Sequence, residues 1–262
     1  MINGLIALLF TKMEEKFNAL CIRSVSYKDN DKMLTLFSLE KGIVDCILRG
    51  VKKPNAKLRF AGELFCFAEY VVAEKNGRRT VIEANEIDNF YEIRLDIDKY
   101  YAATAIIEYV RTFALKGESY YELFLNTLNG LKAIQNGAYL PQLVLVKYYM
   151  EGLKLAGYGI SYSACEDCGV IIENRVFFDF NSCVFKCADC ADYSCTEMRI
   201  GTYKLLSLLD KIELSNLKNM DKSTYSPTFD QLDTVKYALK FFDFFIKDKV
   251  EVQIKSNQAL LV

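Results

Sequence analysis

Three features of the sequence predict an α+β fold: apolar–polar alternation through the first third, a change to helical periodicity near Ile97, and two late Cys-x-x-Cys pairs. Leu20–Val25, Lys32–Ser38 and Gly42–Arg49 read as short strands. Lys28-Asp29-Asn30-Asp31 and Glu40-Lys41-Gly42 supply the turn chemistry between them. Leu64–Ala73 and Arg79–Asn85 flank Lys75-Asn76-Gly77-Arg78, whose Asn-Gly suits a tight hairpin. Five short strands with a basic insertion, Gly50–Arg59, predict an N-terminal OB-type β-barrel spanning residues 1–90. A five-stranded sandwich would show a similar pattern. Residues 1–12 read as an extension ahead of the more ordinary start Met13-Glu14-Glu15-Lys16.

Residues 91–262 read as an α-helical domain with an inserted cysteine module at about 162–195. Ile97–Leu115, Ser119–Gln135 and Pro141–Ala156 form the first three predicted helices. Asp96 is placed to cap the first; Pro141 and Gly157 are the expected start and stop of the third. Gly201–Leu214 and Thr228–Lys249 follow, the last carrying Phe241, Phe242, Phe244, Phe245 and Ile246 as a stripe read as core, of which part could line a groove for a partner peptide. The composition, 52% apolar with three prolines in 262 residues, is that of a folded globular chain. The apolar run Leu5–Phe10 is too short to span a bilayer and lacks the flanks of a signal peptide. A cytoplasmic protein without a membrane partner is expected.

Cys165-Glu166-Asp167-Cys168 and Cys187-Ala188-Asp189-Cys190 stand eighteen residues apart in a chain with no histidine. Two such knuckles complete a tetrahedral four-sulfur shell, so Cys165, Cys168, Cys187 and Cys190 are the predicted ligands of one structural Zn2+. A closed thiolate shell leaves no position for water or substrate. Cys183 and Cys195 compete as ligands but belong to no Cys-x-x-Cys pair. Cys21, Cys46 and Cys66 lie in apolar runs and read as core. The absence of histidine also excludes Ser-His-Asp triads, Cys-His dyads and HExxH sites, and no Walker-type phosphate loop is present.

The net charge is -1, yet nine cations between Cys21 and Gly62 face four acids, Asp29, Asp31, Glu40 and Asp45. This cationic zone is where a polyanion should bind. Arg49, Lys52, Lys53, Lys57 and Arg59, spaced along a loop containing Gly50 and Pro54, can follow a phosphate backbone. Lys32 and Arg23 are the further candidates. Tyr27, Phe37 and Phe60 are available for base stacking, although each suits a core equally and none is assigned. Glu83, Glu86, Asp88, Glu92, Asp96 and Asp98 could serve a two-metal nuclease, but their spacing singles out no site, so no catalytic residue is assigned.

From Phe17 to Gln258 the chain resembles the bacterial recombination-mediator and DNA repair family RecO. Tyr27-Lys28-Asp29-Asn30-Asp31-Lys32-Met33-Leu34-Thr35-Leu36-Phe37 is similar to the family's opening Y-x-E-x-D-x-L-L-T-L-F, with Asp29 where Glu is usual. Arg49–Arg59 is similar to its basic R-G-A-R-R-x-x-S-R-L-R stretch, with Ala56 for serine. Leu155-Ala156-Gly157-Tyr158 ahead of the paired cysteines repeats the helix-then-zinc order of members that keep the metal. The resemblance implies a non-enzymatic protein that binds single- and double-stranded DNA and anneals complementary strands. It also implies work with RecR, contact with the C-terminal tail of single-stranded DNA-binding protein, and nucleoid association. Two rivals remain open: a zinc-containing adaptor without direct DNA function, and a carboxylate-dependent, magnesium-dependent nuclease.

Overall fold

The computed structural model describes residues 13–217 and 232–262. The predicted extension, residues 1–12, and residues 228–231 of the last predicted helix lie outside the described residues. Five strands close a barrel in the order β1-β2-β3-β5-β4: β1 Met13–Tyr27, β2 Asp31–Ser38, β3 Gly42–Leu48, β4 Phe67–Lys75 and β5 Arg78–Asp88. The expected barrel forms, and the sandwich does not. Closure depends on the length of β1, whose Met13–Leu20 half pairs with β4 while Ala19–Tyr27 pairs with β2. Alternation in the sequence marks this strand only from Leu20, because Glu14, Glu15 and Lys16 hide its earlier half. A short parallel contact, Ile47 with Thr80 and Leu48 with Val81, seals the last seam.

Phe17, Cys21, Leu34, Leu36, Val44, Cys46, Leu48, Tyr70 and Val72 fill the barrel. Burial pushes the Cys21 and Cys46 thiols up to about 12, so both behave as small apolar side chains. A single 3-10 turn, Phe60–Gly62, joins this core, with the Tyr70 hydroxyl donating to the Ala61 carbonyl at 2.9 Å. The β4–β5 hairpin turns at Asn76 and Gly77 with φ of 54° and 71°, the positive pair of a type I′ turn.

The helices are α1 Ile97–Phe113, α2 Tyr121–Asn136, α3 Pro141–Leu155, α4 Ile200–Asp210, α5 Leu214–Leu217, α6 Leu232–Val250 and α7 Ser256–Leu260. Asp96 caps α1 by accepting the Lys99 N–H at 3.0 Å. Gly157, at φ +86°, stops α3 with two paired bonds, Tyr158 N–H to Leu153 O at 2.8 Å and Gly157 N–H to Lys154 O at 3.1 Å. None of the helices among the described residues is long and apolar enough to cross a membrane.

The chain forms two compact units. One is the barrel together with Ala114–Phe124; the other holds Tyr91–Phe113 and the chain from Leu125 onward. Ala114–Phe124 runs over the outside of the barrel. Ile43 N–H donates to Leu115 O at 3.2 Å, Ser119 Oγ donates to Leu39 O at 3.1 Å, and the Phe124 ring lies 5.3 Å from Phe37. Gly42 makes this approach possible: its φ is +61°, and a Cβ there would stand 2.2 Å from Glu118 O. Gly42→Ala is expected to lower unfolding stability by about 2–4 kcal/mol, combining a left-handed backbone with a main-chain clash. A denaturant titration showing no loss would place the segment elsewhere.

In the second unit, β6 Val176–Asp179, β7 Val184–Cys187 and β8 Thr196–Met198 make a sheet in the order β7-β6-β8. These strands are not legible in the sequence, since three or four residues carry no readable period. Their core is shared with α6. Phe178 lies 4.9 Å from Phe241, and Phe185 lies 5.0 Å from Tyr203 on α4. Of the α6 stripe, Phe241, Phe242, Phe245 and Ile246 are buried as predicted, whereas Phe244 is 54% exposed.

Candidate nucleic-acid interface and metal centre

The outer face of β1, β2 and β3 is divided into a covered and an open half. Leu20, Phe37 and Ile43 stand in one cross-strand row and are buried, Phe37 against Phe124 and Ile43 under the chain at Leu115 and Lys116. A bulge between Cys21 and Arg23 then shifts the phase of β1. It brings Arg23, Val25 and Tyr27 outward, opposite Thr35, Met33 and Asp31 of β2. On β3, Asp45 and Ile47 continue these rows. The open half therefore presents an apolar row, Val25-Met33-Ile47, with Arg23 on one side of it and Tyr27 on the other. In OB barrels, the face of strands 2 and 3 takes oligonucleotides and oligosaccharides.

The predicted phosphate contacts fall into three groups. Arg23, Arg49, Lys53 and Lys57 are exposed, and their side chains make no hydrogen bond or ion pair among the described residues. Lys52 and Arg59 are exposed but also hold the segment together: Lys52 Nζ donates to Lys28 O at 3.3 Å, and Arg59 donates to Lys53 O and Pro54 O at 3.0 and 3.1 Å. Lys32 is different. It shares the inward parity of Leu34 and Leu36, and its ammonium reaches Gly62 O at 3.0 Å and Glu63 at 3.2 Å. Its charge is engaged at the end of the barrel.

The basic segment is more ordered than a flexible loop. Lys53 N–H to Gly50 O, Ala56 N–H to Lys53 O and Arg59 N–H to Ala56 O make a run of turns, and buried Val51 anchors it. Lys52 N–H to Asn30 O and Gly50 N–H to the Asp31 carboxylate tie it to the β1–β2 turn. This docking brings in Lys28, whose ammonium lies 5.4 Å from the Tyr27 ring centre. Lys28 is not among the predicted phosphate contacts, and only the pairing of two distant turns reveals it. Of the candidate stacking rings, Phe37 is fully buried, Phe60 packs on the barrel core, and Tyr27 remains half-exposed. Partial burial works to raise the Asp45 carboxyl, but hydrogen bonds from Lys116 and Thr35 and the charge of Arg23 hold it below its ordinary value. A fixed anion thus borders the cationic face.

The four predicted cysteines meet. The Sγ atoms of Cys165, Cys168, Cys187 and Cys190 lie within 4.8 Å of one another, with Cys168 and Cys187 3.8 Å apart. Metal–sulfur bonds of 2.3 Å in a tetrahedron place sulfurs about 3.8 Å apart, so the residues fit a four-thiolate ion. Each pair sits on a knuckle closed by main-chain bonds, Gly169 N–H to Cys165 O at 2.9 Å and Ala191 N–H to Cys187 O at 3.0 Å. Burial raises the Cys165 thiol, but main-chain N–H groups of Cys187, Cys168 and Asp167 outweigh it and bring the group to about 6. Crowding by Cys168 and Cys187 pushes Cys190 the other way. Four sulfurs this close cannot all ionise without a cation among them. Cys183 and Cys195 bond instead to Phe180 O and Asp192 and stand outside the cluster.

The carboxylates considered for a nuclease do not gather among the described residues. Glu86 accepts from Asn89, Asp88 from the Phe90 N–H, Asp96 caps α1 and Asp98 accepts from Gln142.

A closed OB barrel with a half-open strand face, followed in the chain by a helical unit with a four-cysteine ribbon, defines a two-part OB-fold protein with a metal-competent cysteine cluster. Residues 13–90 match the family model described as Recombination protein O N terminal, and residues 94–258 match Recombination protein O C terminal. The chain belongs to the RecO family of DNA repair proteins. It is similar to the DNA repair protein RecO of Acetivibrio thermocellus, 25% identical over 210 residues, covering 79% of this chain and 84% of the relative. The Listeria innocua protein of the same name is 27% identical over 250 residues, covering 94% and 93%. That of Desulfitobacterium hafniense is 31% identical over 174 residues, covering 66% and 63%.

Proposed function

We propose that this chain is a non-enzymatic recombination mediator that binds single- and double-stranded DNA and anneals complementary strands. The reading is carried by the open half of the barrel face, an apolar row next to Arg23 and Tyr27, together with the ordered segment bearing Arg49, Lys52, Lys53, Lys57 and Arg59. Bases lie on the apolar row and phosphates meet the cations; Lys28 joins the set, and Lys32 supports the barrel. Annealing needs no covalent step, because holding two strands together while screening their repulsion is enough to speed pairing. Membership of the family supports work with RecR on DNA coated by single-stranded DNA-binding protein, whose C-terminal tail the chain contacts, in the cytoplasm at the nucleoid. In this reading the part of the chain up to residue 90, with its barrel strands from Met13 to Asp88, is the nucleic-acid-binding domain, and the part from residue 91 is the helical one. The four cysteines hold one zinc ion as structure, since four thiolates leave no open coordination position.

Fluorescence anisotropy of a labelled single strand over a salt series tests the reading. Affinity should fall linearly on log axes, by about 0.7 per phosphate contact. Absence of binding would favour the adaptor, and magnesium-dependent cleavage the nuclease.

A further inference from the structure

We propose that α6 carries a second single-stranded nucleic-acid contact, separate from the barrel. The proposal rests on the DNA-binding reading above and adds a surface to it. Phe244 is the member of the α6 aromatic stripe that the core does not use: it is 54% exposed. Lys236, Lys240, Phe244 and Lys247 follow at intervals of four, four and three residues, which places them on one helix face. Lys240 and Lys247 are exposed and make no hydrogen bond or ion pair among the described residues; the Lys236 ammonium bonds to Val262 O.

Around this stripe lie more aromatic rings and another cation. Phe180 meets Phe244 edge-on at 4.9 Å, and the Arg199 guanidinium lies over the Tyr237 ring at 4.4 Å. Phe180, Phe244 and Tyr237 line a cleft of about 320 Å³, floored by Phe178, Phe241 and Met198. Of the acids nearby, Glu197 is paired with Arg175 at 2.9 Å and Asp243 with Asn257 and Gln258, while Asp233 lies beside Lys236 and Lys240 and offsets part of their charge at the start of the helix.

Open rings interleaved with free cations are the chemistry of single-strand binding: bases stack or insert, and phosphates follow the ammonium groups. From Lys236 to Lys247 the helix rises about 16 Å, the length of about five stacked nucleotides. Two separate strand contacts on one chain would serve annealing, because complementary strands could be held at the same time.

The test is photocrosslinking of the full chain to a bromouracil-substituted single strand, with the attached peptides mapped, beside anisotropy of a Phe244→Ala, Lys240→Ala, Lys247→Ala variant. Crosslinks are expected in the barrel and within α6, and the α6 variant should bind on the order of a hundredfold more weakly at 0.1 M salt, with a salt slope lower by about 1.4. All three side chains are exposed, so circular dichroism and the melting transition should be unchanged. Crosslinks confined to the barrel, with unaltered binding by the variant, overturn this proposal and leave the proposed function standing. So does a variant that keeps DNA binding but loses an acidic peptide. No crosslinks anywhere would remove both.

Discussion

Replacing Lys52, Lys53 and Lys57 together with alanine should weaken single-strand binding on the order of a hundredfold at 0.1 M salt. Each lysine that meets a phosphate releases condensed counterions, and for a single strand each contact contributes about 0.7 to the logarithmic salt slope. Three lost contacts therefore lower the slope by about 2, and the difference from the parent protein should shrink towards nothing near 1 M salt. The variant should fold normally. All three side chains are exposed, and the packing anchor of the segment, Val51, is untouched. Lys52 gives up one bond to Lys28 O, while its main-chain bond to Asn30 O stays. Weaker binding with an unchanged salt slope would mean that these lysines do not meet phosphates. By contrast, Lys32→Ala should act on barrel stability through Glu63 and Gly62 rather than on the slope.

Replacing Cys165 and Cys187 with serine should abolish stoichiometric zinc and unfold the ribbon of β6, β7 and β8. A structural four-thiolate site contributes about 10–16 kcal/mol of apparent binding energy, as large as the whole stability of an ordinary domain. The strands are three or four residues long and cannot hold together unaided. Loss should spread to α6, since Phe178 and Phe185 pack on Phe241 and Phe245. The barrel has its own core and should keep binding a single strand, though without the α6 contribution. Cys183→Ser, outside the cluster, should retain the metal. Elemental analysis finding no zinc in carefully purified parent protein would falsify the assignment of the ion.

What the sequence made legible follows from period and spacing. Alternation located β2 and β3 within a residue or so, and the Asn76-Gly77 turn fixed the β4–β5 hairpin. Cysteine spacing identified all four members of the metal cluster, because two knuckles closed by local main-chain bonds need little from the rest of the fold. Facing was harder. Lys32 looked like any other cation of its zone, and only its register beside Leu34 shows that it points inward. The Val25-Met33-Ile47 row depends on the bulge at Cys21, which moves every later residue of β1 to the other face. Ala114–Phe124 covers half of that face from a distant part of the chain, a non-local contact that no window of sequence contains. Phe244 sits among four buried neighbours, and the stripe by itself does not tell which of its members faces the core and which a groove.

The central claim is that the open half of the barrel face is where a strand lies. Hydrogen exchange of the full chain, with and without a saturating oligonucleotide, tests it most directly. Slower exchange should appear in the β1–β2 turn, in β3 and in the turns between Gly50 and Arg59, where main-chain amides are covered by the strand. Protection confined to the helical unit, with the barrel exchanging as it does without DNA, would contradict it.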